Sequence, residues 1–471
     1  MIAYLAGLEL RSRFRARGVL TLGVFLVALL GISTWIGVQR VQTFEAECAA
    51  ASAADRWIWV EQGADNPHSA AHFSRYAFKP VPILGLFDPG ALDTAGVAVW
   101  MEGHYQDPAQ FRRIEDAPLG LRVAQFSPAW VLVLFGSLAI IAALHGIIAG
   151  EREDGTLRQV LATGLDPRHF AAGKMVAALV GAGALLAVGL VVTLGVANTT
   201  RMTAEPDLFP RAGLLVLAYA LFFITVAAVT TGVSALSSAR RVALGALVGL
   251  WAATIVVGPY VAAQIALKLH PDVDGPAAYA RIVEASNGFF RDKAARDEAL
   301  KQALARYGVQ RKADLPLRYD GYELQYSEEI AHPKFEKIYG EVHAVHDAHE
   351  RVLITASVVL PGLSIGSLSS ALAGTDRQHH LQFTDAAEAH RRKIVKMLND
   401  DLTFNDLGRK GAYTADRILW EQIPDFAMAP PRLDWDASRC GLLFAILAGQ
   451  AALGLLFAFW AIQRAARKVS Q

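Results

Sequence analysis

With 471 residues and a formal net charge of +1, the chain lacks the bulk charge that would attract a nucleic acid, so we expect no such partner. Apolar residues make up 53% of it and the mean hydropathy is +0.30, which is high for a soluble protein, yet charged residues still contribute 19%. Runs almost free of charge alternate with polar segments dense in charge. This pattern predicts an integral membrane protein with large parts outside the membrane.

The first apolar run follows a basic N-terminus. Four arginines lie between positions 11 and 17, and residues 18–38 follow as an apolar run long enough to cross a hydrocarbon core of ~30 Å as a helix. A secretory signal peptide is the alternative, but the run is long for one and no small-x-small cleavage site follows at once. We therefore predict that residues 1–38 are a cytoplasmic N-terminus and an uncleaved first span.

A polar insert is predicted over residues 39–125. It opens with an Ala-rich helical pattern over residues 44–59 and continues as chain interrupted by prolines, which is typical of loops and short strands. Pro80 and Pro82 exclude helix interior around them, because proline lacks the N–H group and restricts the residue before it. We expect mixed structure in this insert.

Four further apolar runs predict spans 2 to 5 within a membrane block of residues 126–267. They cover residues 126–149, 175–197, 212–236 and 242–267. The connectors between them are short, at 150–174, 198–211 and 237–241. Pro259 predicts a kink in span 5.

A second and larger polar insert, residues 268–439, precedes the last span, which is predicted over residues 441–462 of the C-terminal segment 440–471. Residues 279–307 and 384–398 carry amphipathic helical patterns, so this insert is predicted to be mostly helical. Asp385 and Glu388 stand at capping-box spacing and predict the start of the second of these helices.

Residues 352–373 are apolar enough to be weighed as a seventh span. With six spans, the basic N-terminus, the basic connectors 150–174 and 237–241 and the basic tail at 464–468 all lie on the cytoplasmic side. A seventh span would put that tail outside. We therefore predict a mainly α fold, a polytopic six-helix transmembrane bundle with two extracytoplasmic inserts and both termini cytoplasmic. Residues 352–373 are then an amphipathic or buried helix pair against the outer membrane face.

The connector 150–174, named the coupling region, has the composition of a small helix lying at the membrane face. Its acidic start suits a helix dipole, Gly155 permits a sharp turn, and Thr156 can cap the helical stretch after it. Leu157, Val160 and Leu161 at helical spacing predict an apolar inner face with polar residues outside. A solvated loop that only satisfies charge rules is the alternative.

Glu-Arg-Glu-x-Gly-Thr-Leu after a span, with Gly-Lys opening the next span, resembles the coupling region of type-2 ABC transporter permeases. Six spans with an external insert before the last also match that family. Asp88-Pro89-Gly90, Leu372-Ala373-Gly374-Thr375-Asp376 and His379-His380 resemble bacterial permeases that carry a domain of unknown function there. The resemblance implies docking on an ATPase subunit through Glu151, Arg152, Glu153, Asp154, Gly155, Thr156 and Arg158.

The chain carries no Walker A motif, because Arg168 and Met175 stand where that motif needs Gly and Ser or Thr. We therefore expect no enzyme activity and no cofactor in this chain, with ATP and Mg²⁺ in a separate ABC ATPase subunit. The resemblance further implies a second permease subunit, identical or related, a bacterial inner membrane, contact with membrane lipid and a periplasmic partner for the inserts. A non-transporting membrane sensor or scaffold with partner- or metal-binding inserts is the alternative.

His343, His346 and His349 form a three-residue repeat. On a helix, neighbouring pairs lie ~60° apart, so two of them could share a metal ion; an ordinary polar helix face is the alternative. Cys48 and Cys440 both fall on the outer side in this topology, where a disulfide between them is possible and two separate thiols are the alternative.

Ionisable residues are almost absent from the predicted spans, with His145 as the exception. Because intramembrane charges usually mark ion or proton pathways, their absence argues against a proton-coupled carrier and against a hydrophilic channel. It suits a permease that moves an amphipathic or lipid-like substrate, or one that pulls mechanically on its external inserts.

Overall fold

The computed structural model describes residues 1–15, 17–73, 75–112, 126–199, 205, 207–405 and 413–470. The end of the predicted first insert, residues 113–125, and residues 200–204 and 206 of the connector between spans 3 and 4 therefore lie outside the described part. The described helices are α1 (Ile2–Arg15), α2 (Arg17–Val60), α3 (Pro67–Ala70), α4 (Pro128–Val131), α5 (Ser137–Leu144), α6 (Ala149–Glu153), α7 (Leu157–Ala162), α8 (Pro167–Thr199), α9 (Leu208–Leu236), α10 (Arg240–Trp251), α11 (Gly258–Leu269), α12 (Gly275–Arg291), α13 (Lys293–Tyr307), α14 (Tyr319–Ser357), α15 (Pro361–Ala373), α16 (Arg377–Phe404), α17 (Arg417–Gln422) and α18 (Ala437–Ser470). The strands are β1 (Arg75–Phe78), β2 (Gly96–Met101) and β3 (Gln110–Arg112).

Six helices of the described chain are long and apolar enough to cross a membrane, which confirms the predicted number and the mainly α fold. They are span 1 (Arg17–Val60), span 2 (Pro128–Glu153), span 3 (Pro167–Val196), span 4 (Leu208–Leu236), span 5 (Arg240–Leu269) and span 6 (Leu433–Arg467). Pro259 stands in the first turn of α11, directly after a π-helical segment, Ala252–Val257. The regular hydrogen bonding of span 5 is thus interrupted at the predicted place, because proline cannot donate the helical hydrogen bond.

Among the described helices, spans 4 and 6 make the most extensive contact with each other. Gly232 of span 4 lies against the ring of Phe457, and Gly454 of span 6 lies against Ala228, so a larger residue at Gly232 would collide with the ring. Helix α15 packs into the same core with Ile365 and Leu368 fully buried. Residues 352–373 are therefore the end of α14 followed by α15, a helix packed against spans 4 and 6 and separate from the six candidate spans.

Helix α2 continues far beyond the length that a membrane requires. Its 44 residues correspond to about 66 Å, more than twice a hydrocarbon core of about 30 Å. The helix that the sequence predicts over residues 44–59 is the continuation of span 1, because residues 38–60 contain neither Gly nor Pro and are rich in alanine. One continuous helix thus connects the bundle to the inserts.

The two inserts share one core. Strands β1, β2 and β3 form an antiparallel sheet in that order, and Trp59, Phe383 and Trp420 are buried together beside it. The indole of Trp59 donates to the carbonyl of Trp420 at 3.0 Å, and the indole of Trp420 donates to the carbonyl of Gly63 at 2.8 Å. These reciprocal bonds join the first insert to the second, so the two inserts form one layer, named the insert layer.

The second insert is helical as predicted, with different helix boundaries. The stretch 279–307 is split at Asp292, whose carboxylate accepts from the N–H groups of Ala294 and Ala295 and so starts a new helix. The predicted capping box at Asp385 and Glu388 is wrong, because both lie inside α16. The N-cap of that helix is Asp376, whose carboxylate accepts from the N–H of His379 at 3.1 Å.

Candidate functional site

The coupling region folds as a helix–turn–helix where span 2 ends. Helix α6 is followed by a turn at Gly155, helix α7, a second turn at Gly164 and the start of span 3 at Pro167. Both glycines have positive φ, +73° and +75°, a conformation that residues with a side chain rarely adopt. The two glycines therefore set the direction of α7 relative to the spans.

Helix α7 is amphipathic in the predicted sense. Leu157 is buried and Leu161 packs against the main apolar core, whereas Arg158 and Gln159 are exposed. The outer surface of the region consists of the exposed residues Glu153, Asp154, Gly155, Arg158, Gln159, Ala162, Thr163 and Gly164, which we call the docking face.

Glu151 points inward and connects the region to span 3. Its carboxylate accepts from the hydroxyl of Thr156 at 2.5 Å and forms an ion pair with Lys174 at 3.1 Å. Thr156 stands at the N-cap position of α7, but its hydroxyl bonds to Glu151 and not to the helix N–H groups. The predicted capping by Thr156 is therefore replaced by a link between the two short helices.

Arg152 connects the region to the end of span 4. Its guanidinium donates to the carbonyl of Ala235 at 2.9 Å and also to the carbonyl of Ser237. Cations at a helix C-terminus satisfy carbonyls that have no partner within the helix. A side chain of span 4 also contacts the backbone before the coupling region: the hydroxyl oxygen of Ser234 accepts from the N–H groups of Ile148 and Ala149, at 3.2 Å each.

Arg240, at the start of span 5, contacts the acidic end of α6. Its backbone N–H donates to Glu153 at 2.9 Å, and its guanidinium pairs with Asp154. A Cβ on Gly150 would lie 2.5 Å from the Arg240 Nε, so a larger residue there would displace the Arg240 side chain from this position. Arg240 was not among the residues predicted from the sequence, because 86 residues separate it from Asp154. The sequence contained one indirect signal for this pair: the basic connector 237–241 and the acidic start of the coupling region are predicted to lie on the same side of the membrane.

The remaining neighbours of the coupling region are α1 and span 6. Helix α1 packs along the start of span 3, where a Cβ on Gly173 would lie 2.5 Å from the Cβ of Leu5. The guanidinium of Arg168 lies 4.2 Å from the ring centroid of Phe459 in span 6. Thus spans 2 and 3 lead into and out of the coupling region, and spans 4, 5 and 6 contact it.

The predicted site residues therefore divide into two groups. Glu151, Arg152 and Thr156 make internal contacts, with each other or with spans 3 and 4. Glu153, Asp154, Gly155 and Arg158 are exposed, with Glu153 and Asp154 also contacting Arg240. The region combines a solvent-facing polar surface with inward contacts to several spans.

The histidine repeat does not assemble three metal ligands in the described part of the chain. His346 and His349 each lie near Asp272, at 4.0 and 3.8 Å, while His343 stacks on the ring of Tyr339. Helical spacing places the three on one side of α14, but His343 turns toward Tyr339, whereas His346 and His349 lie near Asp272.

The two cysteines are separate thiols, so the disulfide considered from the sequence is not formed. Cys48 lines a cavity between the bundle and the insert layer, whereas Cys440 is buried at the start of span 6, with its Sγ 3.9 Å from Asp436.

The cavity at that junction has a volume of ≈ 450 Å³ and a mostly apolar lining that includes Phe44, Phe78 and Met428. Lys79 also lines it. The Lys79 ammonium is buried without a hydrogen-bond partner among the described residues. Burial lowers the pKa of Lys79 to about 8, although Asp376 partly opposes the shift.

Two motifs noted in the sequence, Asp88-Pro89-Gly90 and residues 372–376, meet beside this cavity. The hydroxyl of Thr375 donates to the carbonyl of Asp88 at 3.0 Å, and the N–H of Ala91 donates to the carbonyl of Thr375 at 2.8 Å. Gly90 has φ +47°, and a Cβ there would lie 2.5 Å from the Thr375 hydroxyl oxygen. The first insert is thus attached to the end of α15.

Comparison with known proteins identifies two segments. A family model described as ABC-2 family transporter protein matches residues 3–298, and one described as a domain of unknown function (DUF3526) matches residues 280–429. No curated protein matches the chain. The first match spans α1, spans 1 to 5 and the coupling region, which is more than half of the chain. The chain, a multi-pass membrane protein, therefore belongs to the ABC-2 family of transporter proteins.

Proposed function

We propose that the chain is the permease subunit of an ATP-driven transporter of the type-2 export class, in which a separate ABC ATPase subunit hydrolyses ATP. One observation carries the proposal: the docking face is exposed, while residues within it and directly beneath it contact spans 3, 4 and 5. A subunit that pushes on this face therefore acts on several spans at once.

Force applied to α7 has a short path into the bundle. Glu151 passes it to span 3 through Lys174, and Arg152 passes it to the end of span 4. Asp154 passes it to span 5 through Arg240. These charged contacts are partly exposed, so they can break and reform as the spans change position.

The same movement reaches the insert layer by two routes. Span 1 continues into the layer as one helix, and its Arg40 forms an ion pair with Asp93. In span 4, the guanidinium of Arg211 donates to the carbonyls of Leu372 at 3.2 Å and Pro431 at 2.8 Å. The transporter would thus couple ATP hydrolysis to movement of a substrate or of the layer itself.

The substrate class that fits best is amphipathic or lipid-like. The spans carry few ionisable groups, and the cavity between bundle and insert layer is mostly apolar. In this proposal the chain lies in a bacterial inner membrane with both termini cytoplasmic, and the insert layer contacts the substrate or a periplasmic partner. Spans 5 and 1, the least buried of the six, face lipid or a second permease subunit.

The test is purification of the full-length chain from its native membranes in detergent, followed by measurement of ATP hydrolysis in the eluted complex. Arg158→Glu reverses a charge on the docking face without touching the internal contacts. Lys301→Glu, on exposed α13, is the matched charge reversal far from that face. We expect Arg158→Glu to reduce the hydrolysis that accompanies the chain by about tenfold or more, or ~1.4 kcal/mol of binding, and Lys301→Glu to leave it unchanged.

Two results would count against the proposal in different ways. If no ATP hydrolysis accompanies the native chain in several detergents, the non-transporting sensor or scaffold becomes the better interpretation. If hydrolysis accompanies Arg158→Glu and the native chain equally, the ATPase subunit binds elsewhere and the docking face is wrongly assigned.

A further inference from the structure

Three histidines of the first insert meet inside the insert layer. His68 lies on α3, His72 on the single 3₁₀ turn Ala71–Phe73, and His104 just after β2. Each imidazole offers one ring nitrogen, and the three nitrogens lie within 4.8 Å of one another. The ring centroids are 4.9 to 5.3 Å apart. No other group of three such ligands occurs in the described part of the chain.

Local sequence brings the three rings together. Asn66 caps α3 by accepting from the N–H of His68 at 2.8 Å, and the four-residue spacing then places His72 on the same side of the helical segment. At the end of β2, the carboxylate of Glu102 accepts from the N–H of His104 at 3.0 Å and turns the chain back. Gly103 allows this turn to approach α3, since a Cβ there would lie 3.1 Å from Ala71.

Each of the three rings has an oxygen partner at Nδ1. The partner of His72 is Glu102 at 2.9 Å, that of His104 is Glu328 at 2.9 Å, and that of His68 is Asn399 at 3.2 Å. An imidazole that donates Nδ1–H to an oxygen carries its lone pair on Nε2. Metal-binding histidines are usually oriented in this way by a carboxylate or carbonyl behind them.

The outer partners are themselves fixed. Glu328 is almost fully buried and its second oxygen lies 3.4 Å from the guanidinium of Arg391. His72, in contrast, has a side chain that is 45% exposed, so the site opens to solvent on one side. A rigid inner wall with one open side leaves room for a fourth ligand from water or from another molecule.

We propose that His68, His72 and His104 bind one divalent transition-metal ion, Zn²⁺ by the chemistry of three imidazoles, with Glu102, Glu328 and Asn399 as outer partners. In a tetrahedral site with Zn–N bonds of 2.0–2.1 Å, the nitrogens lie about 3.3 Å apart, so the rings close by up to about 1.5 Å through side-chain rotation. The ligands belong to the first insert and two outer partners to α14 and α16. The ion therefore clamps the two inserts together. This inference does not depend on the proposed transport function.

The test uses the full-length chain in detergent with an affinity tag that contains no histidine. After chelator treatment and loading with Zn²⁺, unbound metal is removed by gel filtration and bound zinc is measured by mass spectrometry. We expect about one ion per chain with a tetrahedral three-His site. Co²⁺ in the same site should give the visible absorption of a tetrahedral complex, and Zn²⁺ should abolish it.

Variants separate this site from the other histidines. His72→Ala removes an exposed ligand and should weaken zinc binding at least about tenfold, and Glu102→Gln should weaken it about 10- to 100-fold by disturbing the outer partner. His346→Ala, in the repeat on α14, is the matched control and should keep the ion. Less than a fifth of an equivalent of zinc in the native chain, or full retention by the double variant of His72 and His104, would overturn the proposal.

Discussion

The insert layer and the coupling region are both held by arginines that bridge distant segments, yet they place those charges in different surroundings. In the insert layer, Arg391 is only 1% exposed and binds Glu388 through two nitrogens, at 2.7 and 3.0 Å, with Glu328 at 3.4 Å. In the coupling region, the side chains of Arg240 and Asp154 are 47% and 51% exposed.

This difference has an energetic consequence. Removing one member of a buried charge network leaves the others without compensation and costs about 3–5 kcal/mol, whereas an exposed pair contributes ~0–1 kcal/mol. The insert layer is therefore built to keep one arrangement, while the coupling region can exchange partners at low cost. The proposed function, in which the chain receives force at the coupling region and presents a fixed surface at the insert layer, needs this asymmetry.

The largest expected effect comes from breaking the buried network. Arg391→Met keeps the approximate length of the side chain but leaves Glu388 and Glu328 buried without their shared cation. We expect the insert layer to lose about 3–5 kcal/mol of local stability, measured by amide hydrogen exchange in α16. Burial alone would raise the pKa of Glu388, but Arg391 holds it below its usual value, so the deficit should narrow as the pH falls and Glu388 is protonated.

Lys396→Met is the control for this variant. Lys396 lies on the same helix, and its ion pair with Asp400 is exposed, so exchange should change by less than about 1 kcal/mol. Equal exchange in the two variants would mean that the buried network does not stabilise the layer, and the contrast between the two regions would fail.

A smaller effect, this time a gain in stability, is expected from replacing Lys79 in the cavity between the bundle and the insert layer. Lys79 is 5% exposed, its ammonium has no hydrogen-bond partner in the described structure, and its pKa falls from 10.5 to about 8. Because the folded pKa lies below the unfolded one, the charged amine opposes folding fully below pH 8. The penalty disappears as pH rises to 10.5. The difference between the two pKa values corresponds to a loss of about 3 kcal/mol in the free energy of unfolding. Lys79→Met should therefore stabilise the chain by about 1–3 kcal/mol at pH 7.

The measurement is the unfolding temperature of the native and variant chains in detergent between pH 7 and pH 10. The advantage of Lys79→Met should shrink steadily above pH 8, and that pH dependence identifies the buried amine as its cause. Lys301→Met, at an exposed position of α13, should give no such trend. A variant that is less stable than the native chain at pH 7 would show that Lys79 has a stabilising partner in solution.

The spans and the amphipathic pattern of α7 could be predicted because both depend on neighbouring residues. Runs without charge indicate spans, and Leu157 with Leu161 indicates the inner face of a helix at the membrane edge. Contacts between distant segments could not be read in this way. The pairing of Arg240 with Asp154 and the shared core around Trp420 arise only when the whole chain is folded.

The histidines illustrate the same limit. The repeat at His343, His346 and His349 is regular in sequence, but its three rings do not converge: His343 stacks on Tyr339, and the other two lie near Asp272. The group that does converge has one local signal, the four-residue spacing of His68 and His72 after an Asn-Pro helix start. Its third member is 32 residues further along, beyond strands β1 and β2, so no periodicity connects it to the other two.

The smallest expected effect concerns the exposed ion pair of the coupling region, Asp154 with Arg240. A double-mutant cycle of Asp154→Asn and Arg240→Ala isolates the energy of their interaction, apart from the backbone bond that Arg240 makes to Glu153. We expect a coupling energy of about 0.2–1 kcal/mol at low salt, measured by amide hydrogen exchange over residues 149–164. At about 1 M salt the Debye length falls to about 3 Å, so the coupling should nearly vanish.

Salt should have no comparable influence on the buried network, because solvent ions cannot reach Arg391. The same cycle on Arg391 and Glu388, measured at both salt concentrations, is therefore the internal reference. A salt-resistant coupling above about 2 kcal/mol between Asp154 and Arg240 would mean that α6 and span 5 move as one rigid piece. Force on the docking face would then reach span 5 without any rearrangement of charged contacts, and the switching role given to that pair would be wrong.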